Sequence, residues 1–240
     1  MAVSLIWKGI TMTFENMPSV IQELTFKSFE RDFREARGLS EFGMDQLKVL
    51  GLAAKDGSYT NLGLLLSDQN PFSGIELSLY GDDQNMPRSR MVIDSVSLVD
   101  QYRQMLAVFR EKYVVKEDSR SVLADRELIP ERVFRDLLTN AFLQREWETE
   151  RTIQVKMFPD RITIRCPHNF SEEECRNLEM RVLLLKHKNP GLSGIFMLME
   201  NSNPQLDLIR LQSSCPDSPL QPIFKLDGPW IEAVLPAKLI

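Results

Sequence analysis

The sequence predicts an α+β protein in which helices cover one face of a mixed, mainly antiparallel sheet. Amphipathic periodicity over residues 99–113 and 130–147 predicts two long helices, and alternating apolar residues over 153–166 predict a strand hairpin. Strands and helices do not alternate regularly along the chain, which argues against a parallel sheet. We expect a small α+β region over residues 1–93 that packs on a sandwich over residues 94–240.

The composition of the chain is that of an ordinary globular protein. Hydrophobic residues make up 43% of its 240 residues and charged residues 26%, proportions that are typical of a chain with a buried core.

The net charge of −5 disfavours DNA as a partner, because DNA binding depends on cations that neutralise phosphates. Cys166, Cys175 and Cys215 are too few for a disulfide framework, which favours reduced thiols in the cytoplasm. No apolar stretch is long enough to span a bilayer, so we expect no membrane partner.

The region before residue 93 carries both helix and strand signals. A helix is predicted over residues 25–37, with Thr25 as its N-cap and Gly38 at its end, and a second over residues 44–50. The apolar run at residues 62–66 is short for a helix and indicates a buried strand. We therefore predict a strand over residues 59–66. The alternation of Ile75, Leu77 and Leu79 predicts a strand over residues 75–79, and a further strand is predicted over residues 91–93.

The region after residue 93 alternates long helices with strand pairs. A charged, aperiodic stretch at residues 116–128 predicts a surface loop between the two long helices. Ser171 and Glu174 form a capping-box pattern, which predicts the start of a helix that continues to residue 185. The remaining predicted elements are a helix over residues 192–199 and strands over residues 223–226 and 231–235.

The predicted helix at residues 130–147 carries a row of polar side chains. Asp136, Asn140 and Gln144 follow one another at intervals of four residues, so they lie on one side of the helix, beside its apolar stripe. This arrangement puts a carboxylate and two amides at the rim of a core, where a pocket could open. The alternative is a polar helix edge without any binding role.

Several segments, in order, resemble the GHKL-like (Bergerat-type) ATP-binding domain of RecG-related, Schlafen/AlbA-type transcriptional regulators. The start of the helix predicted over residues 130–147 resembles that family's P-E-E-A-L-R-E-A-L-V-N-A motif. The hairpin predicted over residues 153–166 resembles its F-D-D-R-I-E-I motif. Two further segments resemble its R-N-P-x-L and T-N-A-x-L-L-L motifs. The four segments are residues 129–141, 155–164, 188–192 and 59–71. We expect no AlbA-type DNA-binding domain in this chain, because too few residues precede Thr25.

The resemblance implies a site for ATP and Mg²⁺ on the polar row. Asn140 matches the asparagine that holds Mg²⁺, and Asp136 matches the glutamate that acts as general base on water. Aspartate is one methylene shorter, and base catalysis needs heavy atoms within about 2.6–3.2 Å. Gln144 stands where the family has a histidine. With His168 and Asn169 of the following loop, Asn140 and Gln144 are the candidate cofactor-binding residues.

The chain departs from the family at both glycine-rich loops. After the hairpin, the family's S-P-G-G-L is replaced by residues 166–170, where His168 and Asn169 stand in place of the glycines. The lid motif G-[ST]-G-I should fall near residues 201–207, which contain no glycine. Glycine permits the close approach of backbone to a ligand, and a phosphate-binding nest needs free backbone N–H groups. We therefore expect the fold to be retained and ATP binding to be lost.

Three functions follow from these observations. The favoured one is a non-catalytic regulatory or interaction module, without a cofactor, that binds another protein or a second copy of itself. The alternative is an active Mg-ATP-binding domain, a weak ATPase that uses Asp136 and Asn140. The third is direct DNA binding, for which the sequence shows no basic stripe. A zinc site is not expected, since Cys166 and His168 are too close together for the usual ligand spacing.

Overall fold

The structure, a computed structural model, describes residues 6–7, 10–11, 13–115, 126–168, 170–177, 179–185, 188–200 and 221–238. Its helices are α1 (Lys27–Arg37), α2 (Met44–Val49), α3 (Asn61–Leu66), α4 (Leu98–Tyr113), α5 (Glu131–Gln144), α6 (Glu172–Asn177), α7 (Met180–Leu185) and α8 (Pro190–Glu200), with a 3-10 turn at Phe14–Asn16. Its strands are β1 (Ile6–Trp7), β2 (Ile10–Thr11), β3 (Ile75–Tyr80), β4 (Pro87–Ile93), β5 (Val114–Val115), β6 (Arg126–Glu127), β7 (Ile153–Met157), β8 (Arg161–Pro167), β9 (Ile223–Asp227) and β10 (Trp230–Pro236).

A mixed sheet of six strands forms the centre of the protein, which confirms the predicted α+β class. The strand order is β4-β3-β7-β8-β10-β9, and β3 and β7 are the parallel pair in an otherwise antiparallel sheet. The β7–β8 hairpin pairs Val155 with Ile164, as the alternation predicts. The predicted boundary between the N-terminal region and the sandwich, at residue 93, coincides with the last residue of β4. Both β3 and β4, which lie before this boundary, are strands of the six-stranded sheet.

Helices cover one face of the sheet. Alternate residues of the strands are buried on this face, where α5 packs on β8 and α4 packs beside α5. Residues of the central strands on this face are Ile75, Leu77, Ile153, Val155, Met157, Ile162, Ile164, Cys166, Ala233 and Leu235. In the part of the chain that the structure describes, no helix combines the length and apolarity that a membrane crossing requires.

The predicted strand at residues 59–66 is wrong, since Asn61–Leu66 form helix α3. Thr60 caps this helix, because its hydroxyl accepts a hydrogen bond from the Gly63 N–H at 3.2 Å. All six residues of α3 are buried. An element that is apolar on every side shows neither the helical nor the strand period, so the sequence pattern could not separate the two.

Three smaller expectations also change. Thr25 does not cap α1; instead the Asp68 carboxylate accepts a hydrogen bond from the Lys27 N–H at 3.1 Å. The predicted loop at residues 116–128 contains a short strand, β6, which pairs with β5; residues 116–125 lie outside the described part. The single helix expected after Ser171 is two helices, α6 and α7, although the capping box itself is confirmed.

Candidate functional site

The polar row of α5 lies inside the protein. Asp136, Asn140 and Gln144 are 7%, 4% and 0% exposed. Asn140 and Gln144 line one cavity between α5 and the sheet, while Asp136 is not among the described residues that line it. The row that the sequence places at the rim of the core is therefore covered, and only its last two members share a cavity.

This cavity is very small. Its volume is about 10 Å³, whereas pockets that hold small ligands measure about 300–1,000 Å³. The described lining residues are Leu137, Asn140, Ala141, Gln144, Ile164, Cys166, Phe224, Ile231 and Ala233. The described lining therefore leaves far less space beside Asn140 than the pockets that hold small ligands.

The side chain of Gln144 ties α5 to α7. Its Nε2 donates a hydrogen bond to the Leu184 carbonyl at 2.6 Å and a longer one to the Leu183 carbonyl at 3.3 Å. Leu183 and Leu184 form a small hydrophobic cluster with Phe170 and Ile231, and Ile231 is also part of the cavity wall. Phe170 and helix α7, which follow the β7–β8 hairpin in the chain, thus pack against Ile231 of β10, beside the cavity that Asn140 lines.

Two buried polar atoms of the row have no hydrogen-bond partner among the described residues. These atoms are Nδ2 of Asn140 and Oε1 of Gln144. Because the Gln144 amide is oriented by its bonds to α7, its oxygen must point away from those carbonyls. A buried polar atom without a hydrogen-bond partner lowers the stability of the fold. We therefore expect each of these two atoms to have a partner, such as a bound water, or a functional role.

His168 lies outside this cavity. It lines a separate open groove of about 530 Å³ with Phe170, Glu172, Cys175, Arg176, Gly228 and Pro229. Its Nδ1 accepts a hydrogen bond from the Phe170 N–H at 3.0 Å, and the two rings stack with centroids 4.9 Å apart. Burial lowers the pKa of His168, so the imidazole is mainly neutral at physiological pH. Asn169 lies outside the described residues, as does the lid segment at residues 201–207.

Cys166 is part of the core. Its thiol donates a hydrogen bond to the Ala141 carbonyl at 3.0 Å, and burial raises its pKa to about 12. In the described part of the chain, no three His, Cys, Asp or Glu side chains converge as metal ligands would. His187 and Cys215 lie outside that part.

Arg145, directly after α5, is a buried cation that the sequence reading missed. It is 1% exposed, its Nη1 donates to the Gly74 carbonyl at 3.2 Å, and its guanidinium lies 4.3 Å from the centre of the Trp147 ring. Burial lowers its pKa to about 10. No pattern in the sequence indicated this burial, because arginine after a helix is usually solvated.

Residues of the resembling motifs hold the fold together. Asn189 Nδ2 donates hydrogen bonds to the carbonyls of Arg145 at 2.9 Å and Leu143 at 3.0 Å, with a longer one to Phe142 at 3.4 Å. These carbonyls lie at the C-terminal end of α5, where helices leave acceptors unpaired. The motif around Asn189 therefore fastens the start of α8 to the end of α5.

Glu15 is the other residue that the sequence reading missed. This buried carboxylate accepts hydrogen bonds from the Gly191 N–H at 2.8 Å and the Leu192 N–H at 2.7 Å, in the first turn of α8. Burial raises its pKa, and the two backbone hydrogen bonds offset this only in part. Nothing in the sequence indicated this contact, because Glu15 lies far from α8 along the chain.

The comparisons with known proteins identify a shared fold. No protein-family model and no curated protein matches the chain. One solved structure that does match is the DIP2311 protein from Corynebacterium diphtheriae, with a TM-score of 0.73 over 94% of this chain at 16% sequence identity. The match covers 40% of the DIP2311 chain. At this identity the likeness concerns the fold alone.

Proposed function

We propose that this chain is a non-catalytic regulatory or interaction module, built on the GHKL-like fold of the transcriptional regulators it resembles and no longer able to bind ATP. The observation that carries the proposal is the cavity of about 10 Å³ beside Asn140 and Gln144. The resemblance puts the nucleotide at this place, and the wall formed by Phe224 and Ile231 leaves no room for it.

The contacts of the polar row support the same function. Gln144 uses its amide nitrogen to bind backbone carbonyls of α7, so this side chain is engaged in holding the fold. Asp136, the counterpart of the catalytic glutamate, does not reach the cavity that Asn140 lines. A general base must lie within hydrogen-bonding distance of the water it activates, and Asp136 is not among the described residues that line the cavity where the resemblance puts the phosphates.

The partner that we propose is another protein or a second copy of this chain. A net charge of −5 disfavours DNA, because phosphate contacts require clustered cations. In the DIP2311 match, the shared fold accounts for 40% of the longer chain, which is consistent with a module that works beside other domains. Light scattering after size exclusion will measure self-association, and a strict monomer at high concentration would leave a heterologous protein as the partner.

A thermal-shift titration with Mg-ATP tests the loss of nucleotide binding. A ligand that binds the folded state at one hundred times its Kd stabilises it by about 2.7 kcal/mol. We expect no change in Tm up to millimolar Mg-ATP. A rise in Tm that keeps growing with Mg-ATP concentration in the wild type and in the control variant Asn85→Ala, and is absent in Asn140→Ala, would contradict the proposal and establish the alternative Mg-ATP-binding function.

Direct DNA binding is tested separately with a gel shift at low salt, where the electrostatic part of DNA binding is strongest. We expect free DNA at all protein concentrations. A shifted band that weakens steeply with added salt would replace the proposed module with a DNA-binding protein.

A further inference from the structure

The cavity beside α5 contains two polar atoms that complement each other. Asn140 Nδ2 is a donor and Gln144 Oε1 is an acceptor, and neither has a partner among the described residues. The two residues are four positions apart on one helix, so their Cβ atoms lie about 5–6 Å from each other. Both side chains line the same cavity. A small molecule between them could accept from one and donate to the other.

The size of the cavity restricts that molecule. A buried water needs roughly 10–15 Å³ of accessible space and two to four polar partners. The cavity has about 10 Å³, which is enough for one water and too little for any larger ligand. Apart from Asn140, Gln144 and Cys166, its described lining is apolar.

We propose that a single water molecule is bound between Asn140 and Gln144 as a permanent part of the core. The water accepts a hydrogen bond from Asn140 Nδ2 and donates one to Gln144 Oε1. Its second hydrogen faces the Cys166 sulfur, a weak acceptor whose own S–H is used by the Ala141 carbonyl. This inference rests on the proposed function, because it assigns water to the place where the resemblance puts a nucleotide.

The bound water explains why a polar row persists inside an apolar layer. Without it, the Asn140 nitrogen and the Gln144 oxygen would both be desolvated and unpaired, the costly condition for buried polar groups. With it, Gln144 can hold the α7 carbonyls through its nitrogen while its oxygen is also satisfied. The water thereby satisfies the amide of Gln144, the side chain that connects α5 to α7.

Water-selective NOE and ROE spectra of the ¹⁵N-labelled 240-residue chain test this site. We expect direct cross-peaks between a long-lived water and the Asn140 side-chain amide protons. Among the described residues that line the cavity, none carries a hydroxyl, and the Cys166 thiol is the group that could relay a signal from exchanging protons. The variant Cys166→Ala removes that route. The side-chain amide of Asn189 is the control, because it donates to backbone carbonyls and is expected to give no such peak.

Absence of the Asn140 cross-peak in Cys166→Ala would overturn the proposal, because a peak that appears only in the wild type is relayed through the Cys166 thiol. A crystal structure gives an independent check, since one density peak within hydrogen-bonding distance of both atoms is expected and an empty or collapsed site would refute it. Adding Mg-ATP to the NMR sample separates the two proposals. If Mg-ATP shifts the Asn140 resonances, the proposed function is wrong. If Mg-ATP leaves these resonances unchanged and no cross-peak to water appears, only the proposed water site is wrong.

Discussion

Replacing Asn189 with alanine is expected to destabilise the protein strongly. Its amide donates hydrogen bonds of 2.9 and 3.0 Å, and a weaker one of 3.4 Å, to carbonyls at the end of α5. Each bond contributes about 0.5–1.5 kcal/mol, and buried carbonyls left unpaired add about 1–3 kcal/mol. Allowing for partial replacement by water, we expect the free energy of unfolding to fall by about 2–4 kcal/mol.

Urea denaturation of the full chain measures this change, and a parallel thermal melt should show a decrease of about 2–4 °C in Tm for each kcal/mol. Asn85→Ala is the matched control, because Asn85 is exposed in the β3–β4 turn; its effect should stay within about 0.5 kcal/mol. Asn189→Asp should be at least as harmful as Asn189→Ala at neutral pH, since a carboxylate would face three carbonyl oxygens. A loss below about 0.5 kcal/mol for Asn189→Ala would refute the structural role of this motif.

Three further predictions concern other parts of the fold. Burial raises the folded pKa of Glu15 above 4.5, so its contribution to stability is full below pH 4.5 and is lost as the pH rises through the folded pKa. Urea titrations should therefore show the free energy of unfolding falling above pH 4.5 in the wild type relative to Glu15→Gln. The Cys166 thiol, with a pKa of about 12 instead of 9.0, has about a thousandfold less thiolate, so mass spectrometry after alkylation of the native protein should find Cys175 modified and Cys166 intact. Gly63→Ala should lower stability by about 1–3 kcal/mol, because its new methyl group would overlap a backbone oxygen, whereas Gly194→Ala, with open space around it, should be neutral or raise stability slightly.

Local patterns predicted most elements of this fold. The β7–β8 hairpin and the strand β3 follow from alternating apolar residues, because in each strand one face meets the helices and the other does not. Gly38, with a φ of 63°, ends α1 as its position predicts. Helix α3 escaped prediction because burial on all sides removes the contrast that periodicity requires.

The candidate site was predictable only in part. The spacing of Asp136, Asn140 and Gln144 correctly indicated one side of one helix, since that follows from helix geometry alone. The closure of the site depends on contacts between distant segments. Gln144 binds carbonyls about forty residues further along the chain, and Phe224 comes from β9. Backbone carbonyls have no sequence signature, so no pattern in the chain could have indicated this closure.

We propose that Asn140 and Gln144 belong to a closed core that holds no nucleotide. Side-chain amide NMR of these two residues, recorded with and without Mg-ATP, is the decisive test. We expect unchanged resonances of both side-chain amides and slow hydrogen exchange at the Gln144 amide, whose nitrogen donates a hydrogen bond to the Leu184 carbonyl at 2.6 Å. Saturable shifts of both amides, together with rapid exchange at Gln144, would contradict it.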